Sequence, residues 1–413
     1  MIPPKRIEIG WFDLVRALAG GVLPRDRTRV ARQVEASFPH DPAGSYTPPR
    51  SGRPSEQSDA LAVLSVRSGF DLLLEALDLT EGSEVVVSAI TISDMPRIIR
   101  EHGLVPVPVD LDMNTLSVSV DALRSTITHR TRAILVAHVF GSRMDLGPVA
   151  AVAREHGLLL VEDCAQAYDG CYSGAPEADV SMFSFGPIKT QTALGGGVLR
   201  VRPTSLLDTM RRLQGEWPEQ PAGEYLRRVA KYALVLLVLT RPVYGVLVRL
   251  TRGQHQRFLK SAVRGFPGKE FFARIRRQPS VPLLATMARR LKSPDLAALA
   301  ERRRQGRMLL EDLPHAVVPG HEAPHHSYWV FPVTVPEPAE AVTQIRGLGL
   351  DPSRGTTSLT VVTPPDGRPP PRGAMATMRN VLFLPLGPGL TPALAASMTG
   401  AVRRLQGLPE AGP

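Results

Sequence analysis

The stretch SMFSFGPIKTQTALGGG, residues 181–197, holds a short apolar run that ends at Gly186-Pro187 and is followed at once by Lys189. The run at 182–185 has the length and composition of a buried strand, and the Gly-Pro pair marks its end. A lone lysine there is either a solvated surface charge or a cation held in a mostly apolar pocket. In a pocket its pKa would fall, because burial disfavours the ammonium, and the amine would become a nucleophile.

Segments with strand and helix patterns alternate on the N-terminal side of this stretch. Gly103 and Gly157 each follow a helical pattern and precede an apolar run, as expected for glycines that end helices. The alternation predicts an α/β domain with a mostly parallel sheet covered on both faces, and ligands bind beyond the carboxyl ends of such strands. Predicted strands are 84–87, 105–109, 133–139, 158–161 and 182–185, and predicted helices are 69–77, 95–102, 121–127 and 146–156.

The length of 413 residues predicts more than one domain. We predict an N-terminal arm at 1–60, with a helix at 11–23, a large domain at 61–225, a basic and apolar helical insertion at 226–310, and a smaller C-terminal α/β domain at 311–413. The start of the chain lacks the long apolar segment that export requires, and only Cys164 and Cys171 occur. We therefore expect a cytoplasmic protein without a disulfide framework, and the cysteine and histidine spacing predicts no metal site.

Two further polar features lie where strands end or helices begin. Asp163 follows the apolar run LLLV at 158–161, and it could cap the next helix or pair with a cationic ligand atom. Ser68 and Gly69 stand at the start of a helical pattern, where they could be a plain cap or bind an anion through their backbone amides. An anion site, a carboxylate and a lysine in this order are the set that pyridoxal phosphate requires.

These motifs resemble one known family. The stretches RSGFDLLLEAL, VEDCAQAYDG and MFSFGPIKTQTALGGG are similar to those of the DegT/StrS-type aminotransferases, which are fold type I enzymes dependent on pyridoxal 5'-phosphate. The resemblance covers about residues 64–202, and it returns at SYWVFPV, residues 327–333, and at VLFLPLGPGLTP, residues 381–392.

The resemblance implies roles for individual residues. Lys189 would be the Schiff-base lysine and proton carrier, and Asp163 the partner of the pyridinium nitrogen. The other positions implied at the cofactor are Ser68 and Gly69 (phosphate, by backbone amides), Ile92 (ring face), Gln166 (near the ring hydroxyl), Ser184 (phosphate), and His138 with Gly141 (floor of the site). Candidates for the substrate rim are His325, His326, Tyr328 and Trp329.

The family also implies an activity. We expect an aminotransferase that moves an amino group from an amino acid donor, glutamate or glutamine, to a nucleotide-linked keto-sugar or a related ketone. Such a step would serve cell-surface polysaccharide or secondary-metabolite biosynthesis. Fold type I sites are built between two subunits, so a homodimer is implied.

One block of the chain has no counterpart in this resemblance. Residues 227–307 hold 20 Lys and Arg but three acidic residues, which leaves the rest of the chain with a net charge of −7. The apolar run at 232–250 is interrupted by Arg241-Pro242 and is too short to cross a bilayer, so it forms either a buried helical hairpin or a surface in contact with one leaflet. The alternative function is a non-catalytic binding or regulatory protein that uses this block for membrane or nucleic acid. Nucleic acid is the less favoured partner, because few aromatic residues are interleaved.

Overall fold

The computed structural model describes residues 7–20, 25–38, 58–238, 270–355 and 359–409. The helices of the N-terminal half are α1 Trp11–Gly20, α2 Arg27–Ser37, α3 Val66–Leu77, α4 Asp94–Glu101, α5 Val120–Thr126, α6 Gly147–Glu155, α7 Thr204–Glu216 and α8 Ala222–Val238. After residue 270 they are α9 Phe271–Ile275, α10 Val281–Leu291, α11 Leu296–Asp312, α12 Pro338–Gly347, α13 Arg372–Asn380 and α14 Pro392–Leu405, with a 3₁₀ turn at His315–Val317.

The strands form one large sheet and several small ones. Their bounds are β1 Ala60–Val63, β2 Glu84–Ser88, β3 Ile90–Thr91, β4 Val105–Val109, β5 Thr131–Ala137, β6 Ser142–Arg143, β7 Leu159–Asp163, β8 Val180–Ser184, β9 Gly197–Val201, β10 His325–His326, β11 Phe331–Thr334, β12 Ser353–Arg354, β13 Thr360–Val361 and β14 Val381–Leu384.

The large sheet has seven strands in the order β1-β9-β8-β7-β5-β2-β4. The five strands from β8 to β4 pair in parallel, and β9 pairs antiparallel with both β8 and β1. Helices cover both faces, so the strands are buried nearly throughout, as parallel sheets require. The predicted α/β fold with a mostly parallel sheet is therefore confirmed.

Local signals located these elements to within a few residues. Gly103 and Gly157 adopt φ angles of +70° and +62° after α4 and α6, which is the left-handed cap that glycine takes at no steric cost. The prediction for the strand at 158–161 stopped too early, because β7 continues through Glu162 and Asp163. The prediction at 133–139 ran too far, since β5 ends at Ala137 and leaves His138 just beyond it.

A second, smaller sheet lies in the C-terminal part of the chain. Strands β11, β14 and β12 form two antiparallel pairs in the order β11-β14-β12, and apolar side chains of this sheet share a core with α11, α12 and α14. This sheet falls within the predicted C-terminal domain at 311–413, although the boundaries of the four predicted segments stay a prediction.

The N-terminal helix α1 packs against α8 and α10, and α2 packs against α10. The predicted helix at 11–23 ends at Gly20 in the structure. Residues 21–24 and 39–57 lie outside the described residues. The apolar run at 232–250 is described as far as Val238, at the end of α8, and the rest lies outside the described residues. No helix among the described residues is long and apolar enough to cross a membrane.

Candidate active site

Asp163 and Lys189 meet at the carboxyl end of the large sheet. Asp163 is the last residue of β7, and Lys189 lies five residues beyond the end of β8, the neighbouring parallel strand. The backbone amide of Lys189 donates to the carbonyl of Gly186 at 3.0 Å, which turns the chain back across the strand ends. The lysine ammonium is near enough to oppose the effect of burial on the pKa of the Asp163 carboxyl.

The side chain of Lys189 rests on an aromatic ring from the C-terminal part of the chain. Its Nζ lies 4.1 Å from the centroid of the Trp329 ring, an arrangement that stabilises an ammonium through cation–π attraction. The indole N–H of Trp329 donates to the carbonyl of Ile188 at 2.8 Å. Trp329 therefore holds both the lysine side chain and the turn that carries it.

A glycine lets this tryptophan reach the site. Gly141 follows β5 with a φ of +103°, and a Cβ there would stand 2.6 Å from the backbone nitrogen of Trp329. The backbone amide of Ser327 donates to the Gly141 carbonyl at 2.7 Å, and the Ser327 hydroxyl donates to the same oxygen at 3.1 Å. Gly141 was predicted at the floor of the site, and in the structure it joins that floor to the segment that enters the C-terminal sheet.

The Asp163 carboxyl is buried but not fully matched by partners. Its Oδ1 accepts from the backbone amide of Ala165 at 2.9 Å, and it makes no ion pair with a described residue. Burial raises the pKa of this carboxyl, and the Ala165 amide, Lys189, His138 and Arg67 oppose the rise. A buried carboxylate surrounded by cations at a distance fits a protonated ring nitrogen, so the residues present fit the ring of pyridoxal phosphate.

The neighbouring acid, Glu162, points to the opposite face of the sheet and is fully satisfied. It accepts from His138 Nε2 at 2.7 Å, from the Tyr172 hydroxyl, and from the Ala175 amide at 3.0 Å. Burial by itself raises the pKa of Glu162, but these donors outweigh it and hold the pKa at about 2. His138 Nδ1 accepts from the Met144 amide at 3.2 Å, which leaves its proton on Nε2 and fixes the imidazole under the site.

His138, Glu162 and Cys164 each bring one potential metal-ligand atom within 4.8 Å of the others. Burial raises the pKa of the Cys164 thiol well above its ordinary value, and the charges of Glu162 and Asp163 raise it further. The thiol is therefore protonated, and both imidazole nitrogens are already hydrogen-bonded. This arrangement is a hydrogen-bond network that supports the end of β7.

The N-terminus of α3 differs from the prediction in its register. Ser65 caps the helix by accepting from the Ser68 amide at 3.1 Å, and the Gly69 amide donates to the Ser65 carbonyl at 2.9 Å. The two amides predicted to cradle phosphate are thus hydrogen-bonded within the helix, because α3 begins at Val66, one turn earlier than the pattern indicated. The Ser68 hydroxyl is also engaged, at 2.9 Å from that of Ser65.

The remaining predicted cofactor residues lie around the same strand ends. Gln166 is buried and its Oε1 accepts from the Phe140 amide at 3.1 Å, so its side chain is fixed against the loop after β5. Ser184 ends β8, next to the Gly186 turn that precedes Lys189. Ile92 follows β3 and packs half-buried between the two apolar clusters on either face of the sheet.

Of the residues predicted for the substrate rim, Trp329 contacts Lys189, whereas the other three are used differently. His326 stacks on Tyr328 with 4.2 Å between ring centroids, and its Nδ1 accepts from the Tyr328 amide at 2.9 Å. The Tyr328 ring in turn covers Gly306 of α11, where a Cβ would stand 2.3 Å from it. These two rings are packing contacts. His325 pairs in register with Arg143 across β10 and β6 and is exposed.

Sequence reasoning missed the arginines that fasten the N-terminal segment beside the lysine loop. Arg302 of α11 donates to Glu8 at 2.7 Å, to the Ser327 carbonyl at 2.9 Å and to the Thr190 hydroxyl at 3.3 Å. Arg290 of α10 donates to the Thr192 carbonyl at 3.2 Å. Both belong to the basic block, whose excess charge was the one signal that could have marked them.

Many arginines of the basic block are paired with acidic residues of the chain itself. Nine of its arginines form ion pairs with acidic residues in the described part of the chain: Arg228, Arg274, Arg276, Arg277, Arg289, Arg290, Arg302, Arg303 and Arg304. Asp71 is an example, since this fully buried carboxylate on α3 accepts from Arg276 at 2.8 Å and from His102 at 3.1 Å.

Residues 55–227 match the model of the DegT/DnrJ/EryC1/StrS aminotransferase family. Solved structures with the same fold span the chain. The aminotransferase TlmJ from Streptoalloteichus hindustanus is 21% identical, with a TM-score of 0.69, over 98% of this chain and 99% of that one. The sugar aminotransferase CalS13 from Micromonospora echinospora is 20% identical, with a TM-score of 0.65, over 98% and 100%.

A third similar structure is PseC from Helicobacter pylori, an aminotransferase involved in the biosynthesis of pseudoaminic acid. It is 13% identical, with a TM-score of 0.65, over 98% of this chain and 100% of that one. The predicted fold and the resemblance seen in the sequence are thereby confirmed.

Proposed function

Residues 55–227 match the DegT/DnrJ/EryC1/StrS aminotransferase family, and from this premise we propose that the chain aminates a nucleotide-linked keto-sugar, with glutamate or glutamine as the amino donor. The family makes it an aminotransferase that depends on pyridoxal 5'-phosphate. The observation that carries the proposal is the meeting of Lys189 and Asp163 at the ends of β8 and β7.

Bound pyridoxal phosphate supplies an electron sink that lets an amino group leave one carbon and join another. Asp163 would keep the ring nitrogen protonated, because a buried carboxylate is stabilised by an adjacent positive charge. Gln166 and Ile92 would line the ring, with Gln166 fixed by the Phe140 amide.

Lys189 would carry the proton between the carbon atoms of donor and acceptor. Its Nζ would release and regain a proton, and the Trp329 ring, with its centroid 4.1 Å away, would hold the amine in place. Trp329 is itself held by its hydrogen bond to the Ile188 carbonyl and by packing against the apolar cluster of the large domain.

The phosphate end would be held at the N-terminus of α3. The positive end of the helix dipole favours an anion there, and Ser184 at the end of β8 is the side chain predicted to bind the phosphate. Gly197 at the start of β9 allows that strand to pass close to this terminus, because a Cβ there would stand 3.1 Å from the Val66 nitrogen.

The class of acceptor is supported by the similar proteins. CalS13 is a sugar aminotransferase, and the related structure of DesI was solved in the presence of its TDP-sugar product. An enzyme with the same fold, 3-amino-5-hydroxybenzoic acid synthase, shows that the fold also occurs in a protein named for an aromatic product. A ketone in cell-surface polysaccharide or secondary-metabolite biosynthesis is thus the broader form of the proposal.

We also propose that the enzyme is a homodimer in a reducing, cytoplasmic compartment. Both described cysteines, Cys164 and Cys171, are free thiols, in keeping with that compartment. Size-exclusion chromatography with light scattering of the full chain measures the subunit number, and a monomer at working concentration would end the dimer proposal.

The test of the function begins with the purified chain and added pyridoxal phosphate. We expect a yellow chromophore that borohydride fixes to the peptide containing Lys189, as read by mass spectrometry. Addition of L-glutamate should bleach the chromophore before reduction. A panel of nucleotide-linked keto-sugars should then restore it, and the acceptor that does so defines the substrate.

The matched control is another lysine. Lys189→Ala should give no covalent chromophore, whereas Lys292→Ala, at an exposed lysine after α10, should behave as the wild type. Covalent labelling at Lys292 and not at Lys189 would refute the assignment. Bleaching by glutamate that no keto-sugar reverses would leave the aminotransferase and remove the proposed acceptor.

A further inference from the structure

The exposed apolar side chains of this molecule are concentrated on two neighbouring helices. Eight large apolar side chains are exposed in the described part of the chain, and six of them belong to α1 and α8, which pack against each other. Phe12 is 67% exposed and Leu234 is 63% exposed. Clustered exposure of this kind marks an interaction surface. The six residues are Trp11, Phe12, Val15, Leu18, Leu234 and Leu237.

Helix α1 is apolar on its outer side as well as on its inner side. Leu14 and Ala17 are buried against the body of the protein, as the inner face of a surface helix should be. Trp11, Val15 and Leu18 are spaced by about one turn and face outward, where such a helix ordinarily carries polar residues. The outer face is therefore built to contact something apolar.

Basic side chains border this apolar face. The Arg16 guanidinium lies 4.4 Å from the centroid of the Phe12 ring. Arg16, Arg25 and Arg289 line a cavity of about 350 Å³ between α1 and α10. Asp13 forms an ion pair with Arg289, but Arg16 and Arg25 form no ion pair with a described residue.

The sequence that continues from α8 has the same character. Residues 239–269 include seven Lys and Arg and no Asp or Glu. An apolar face bordered by cations, on a helix with Trp, Phe and Leu, is the composition of helices that lie in the headgroup region of anionic bilayers.

We propose that α1 and α8 dock this protein on an anionic phospholipid membrane. The outer side chains of α1 and α8 enter the headgroup boundary, and the cavity lined by Arg16, Arg25 and Arg289 receives a lipid phosphate. The proposal concerns a surface outside the active site and does not depend on the identity of the acceptor.

Charge distinguishes the membrane from a second copy of the chain. In a two-fold symmetric contact the same patch meets itself, so a patch that carries Arg16 and Arg25 without a described acidic partner would bring positive charge against positive charge. Like charges brought together at an interface oppose association, whereas anionic headgroups complement them. A nucleic acid would satisfy the arginines but would leave the six apolar side chains in water.

The test is flotation of the full-length, cofactor-loaded protein with vesicles. We expect the protein to float with vesicles of phosphatidylcholine mixed with phosphatidylglycerol and to stay at the bottom with phosphatidylcholine alone. The double variant F12S/V15S should lower the partition onto anionic vesicles by about tenfold, because two apolar side chains no longer leave water. R16E/R25E should lower it by at least about tenfold, through reversal of two charges.

Matched controls come from other exposed positions. Met375→Ser changes an apolar side chain of α13 that is 42% exposed, and Arg212→Glu reverses a charge on α7. Neither should change flotation by more than about twofold. All variants should keep the chromophore at Lys189 and the reaction with glutamate, which shows that they are folded.

A second measurement uses Trp11, which is 49% exposed. Its fluorescence should shift to shorter wavelength when anionic vesicles are added, and W11F should still float but lose the shift. Wild-type protein that ignores both vesicle types overturns the proposal, as does a shift that persists in W11F. Loss of dimer formation in F12S/V15S with unchanged flotation would assign the face to a second copy. If inorganic phosphate binds in the cavity but the protein does not float with vesicles, the cavity is a free phosphate site and the membrane proposal fails.

Discussion

Glu162 and Asp163 are adjacent in the sequence and in β7, yet they occupy opposite chemical situations. Because side chains alternate across a strand, Glu162 faces the sealed side of the sheet, where three donors hold its pKa at about 2. Asp163 faces the lysine side, where burial raises its pKa and one backbone amide is its described hydrogen bond. A satisfied acid stabilises the fold, whereas an acid left short of partners is ready to bind a cation.

The largest expected effect separates these two acids by activity. Asp163→Asn removes the charge proposed to pair with the ring nitrogen, and we expect turnover with glutamate to fall by about a thousandfold, the scale of losing one preorganised electrostatic contact. The unfolding free energy should change little. Stopped-flow bleaching of the chromophore measures the rate, and near-normal activity would contradict the assigned role.

The reverse result is expected from the companion change. Glu162→Gln places an amide where three donors converge, so one donor loses its acceptor, and the unfolding free energy should fall by about 3 kcal/mol. Activity of the folded fraction should stay within about threefold of wild type. Urea unfolding followed by circular dichroism checks the first point. If Glu162→Gln abolished activity without loss of stability, the contrast between the two acids would fail.

His326, which is partly buried, is a third titratable group with which to sharpen the comparison. Desolvation and, to a smaller extent, the charges of Arg302 and Arg303 together lower its pKa to about 3, so it stays neutral when folded. The unfolded imidazole binds a proton near its ordinary pKa of 6.5, so stability is full above that pH and is lost as the pH falls toward 3.

When the pH falls from 7 to 5, proton uptake by this imidazole in the unfolded state should lower the free energy of unfolding by about 2 kcal/mol. His326→Gln should remove most of that pH-dependent loss, measured by urea unfolding at both pH values. His315→Gln, on the 3₁₀ turn, is the control. An equal pH dependence in His326→Gln and wild type would show that the imidazole titrates normally.

The smallest expected effect comes from Trp329, which supports the side chain of Lys189 and the turn that carries it. Trp329→Phe keeps an aromatic face over Nζ but loses the hydrogen bond to the Ile188 carbonyl. Because a hydrogen bond of this kind contributes about 1 kcal/mol, its loss should lower kcat by roughly fivefold and change KM less. Trp217→Phe, at the end of α7, is the control. Unchanged kcat in Trp329→Phe would show that the indole N–H does not position the lysine.

Local patterns predicted most of the large domain, because strand and helix periodicities and capping glycines act over a few residues. The order of acid and lysine also predicted their meeting, since parallel strands bring their carboxyl ends to one edge. The start of α3 was predicted one turn too late, because Ser65 competes with Ser68 as the helix cap and short-range patterns do not decide between two serines. The residues His326 and Tyr328 were predicted at the substrate rim, and in the structure their rings stack on each other while the Tyr328 ring covers Gly306.

The sequence by itself determined the α/β class and the resemblance to the family, and it predicted the lysine with its acid, because each is written in contiguous residues whose chemistry is local. The tertiary structure alone decided three things. Trp329, 140 residues from Lys189, became the partner of the amine; arginines of the basic block became the partners of Glu8, Asp13 and Asp71; and the outer side of α1 remained apolar. The physical reason is that long-range contacts depend on which surfaces the folded chain brings together, and no short window of sequence contains both sides of such a contact.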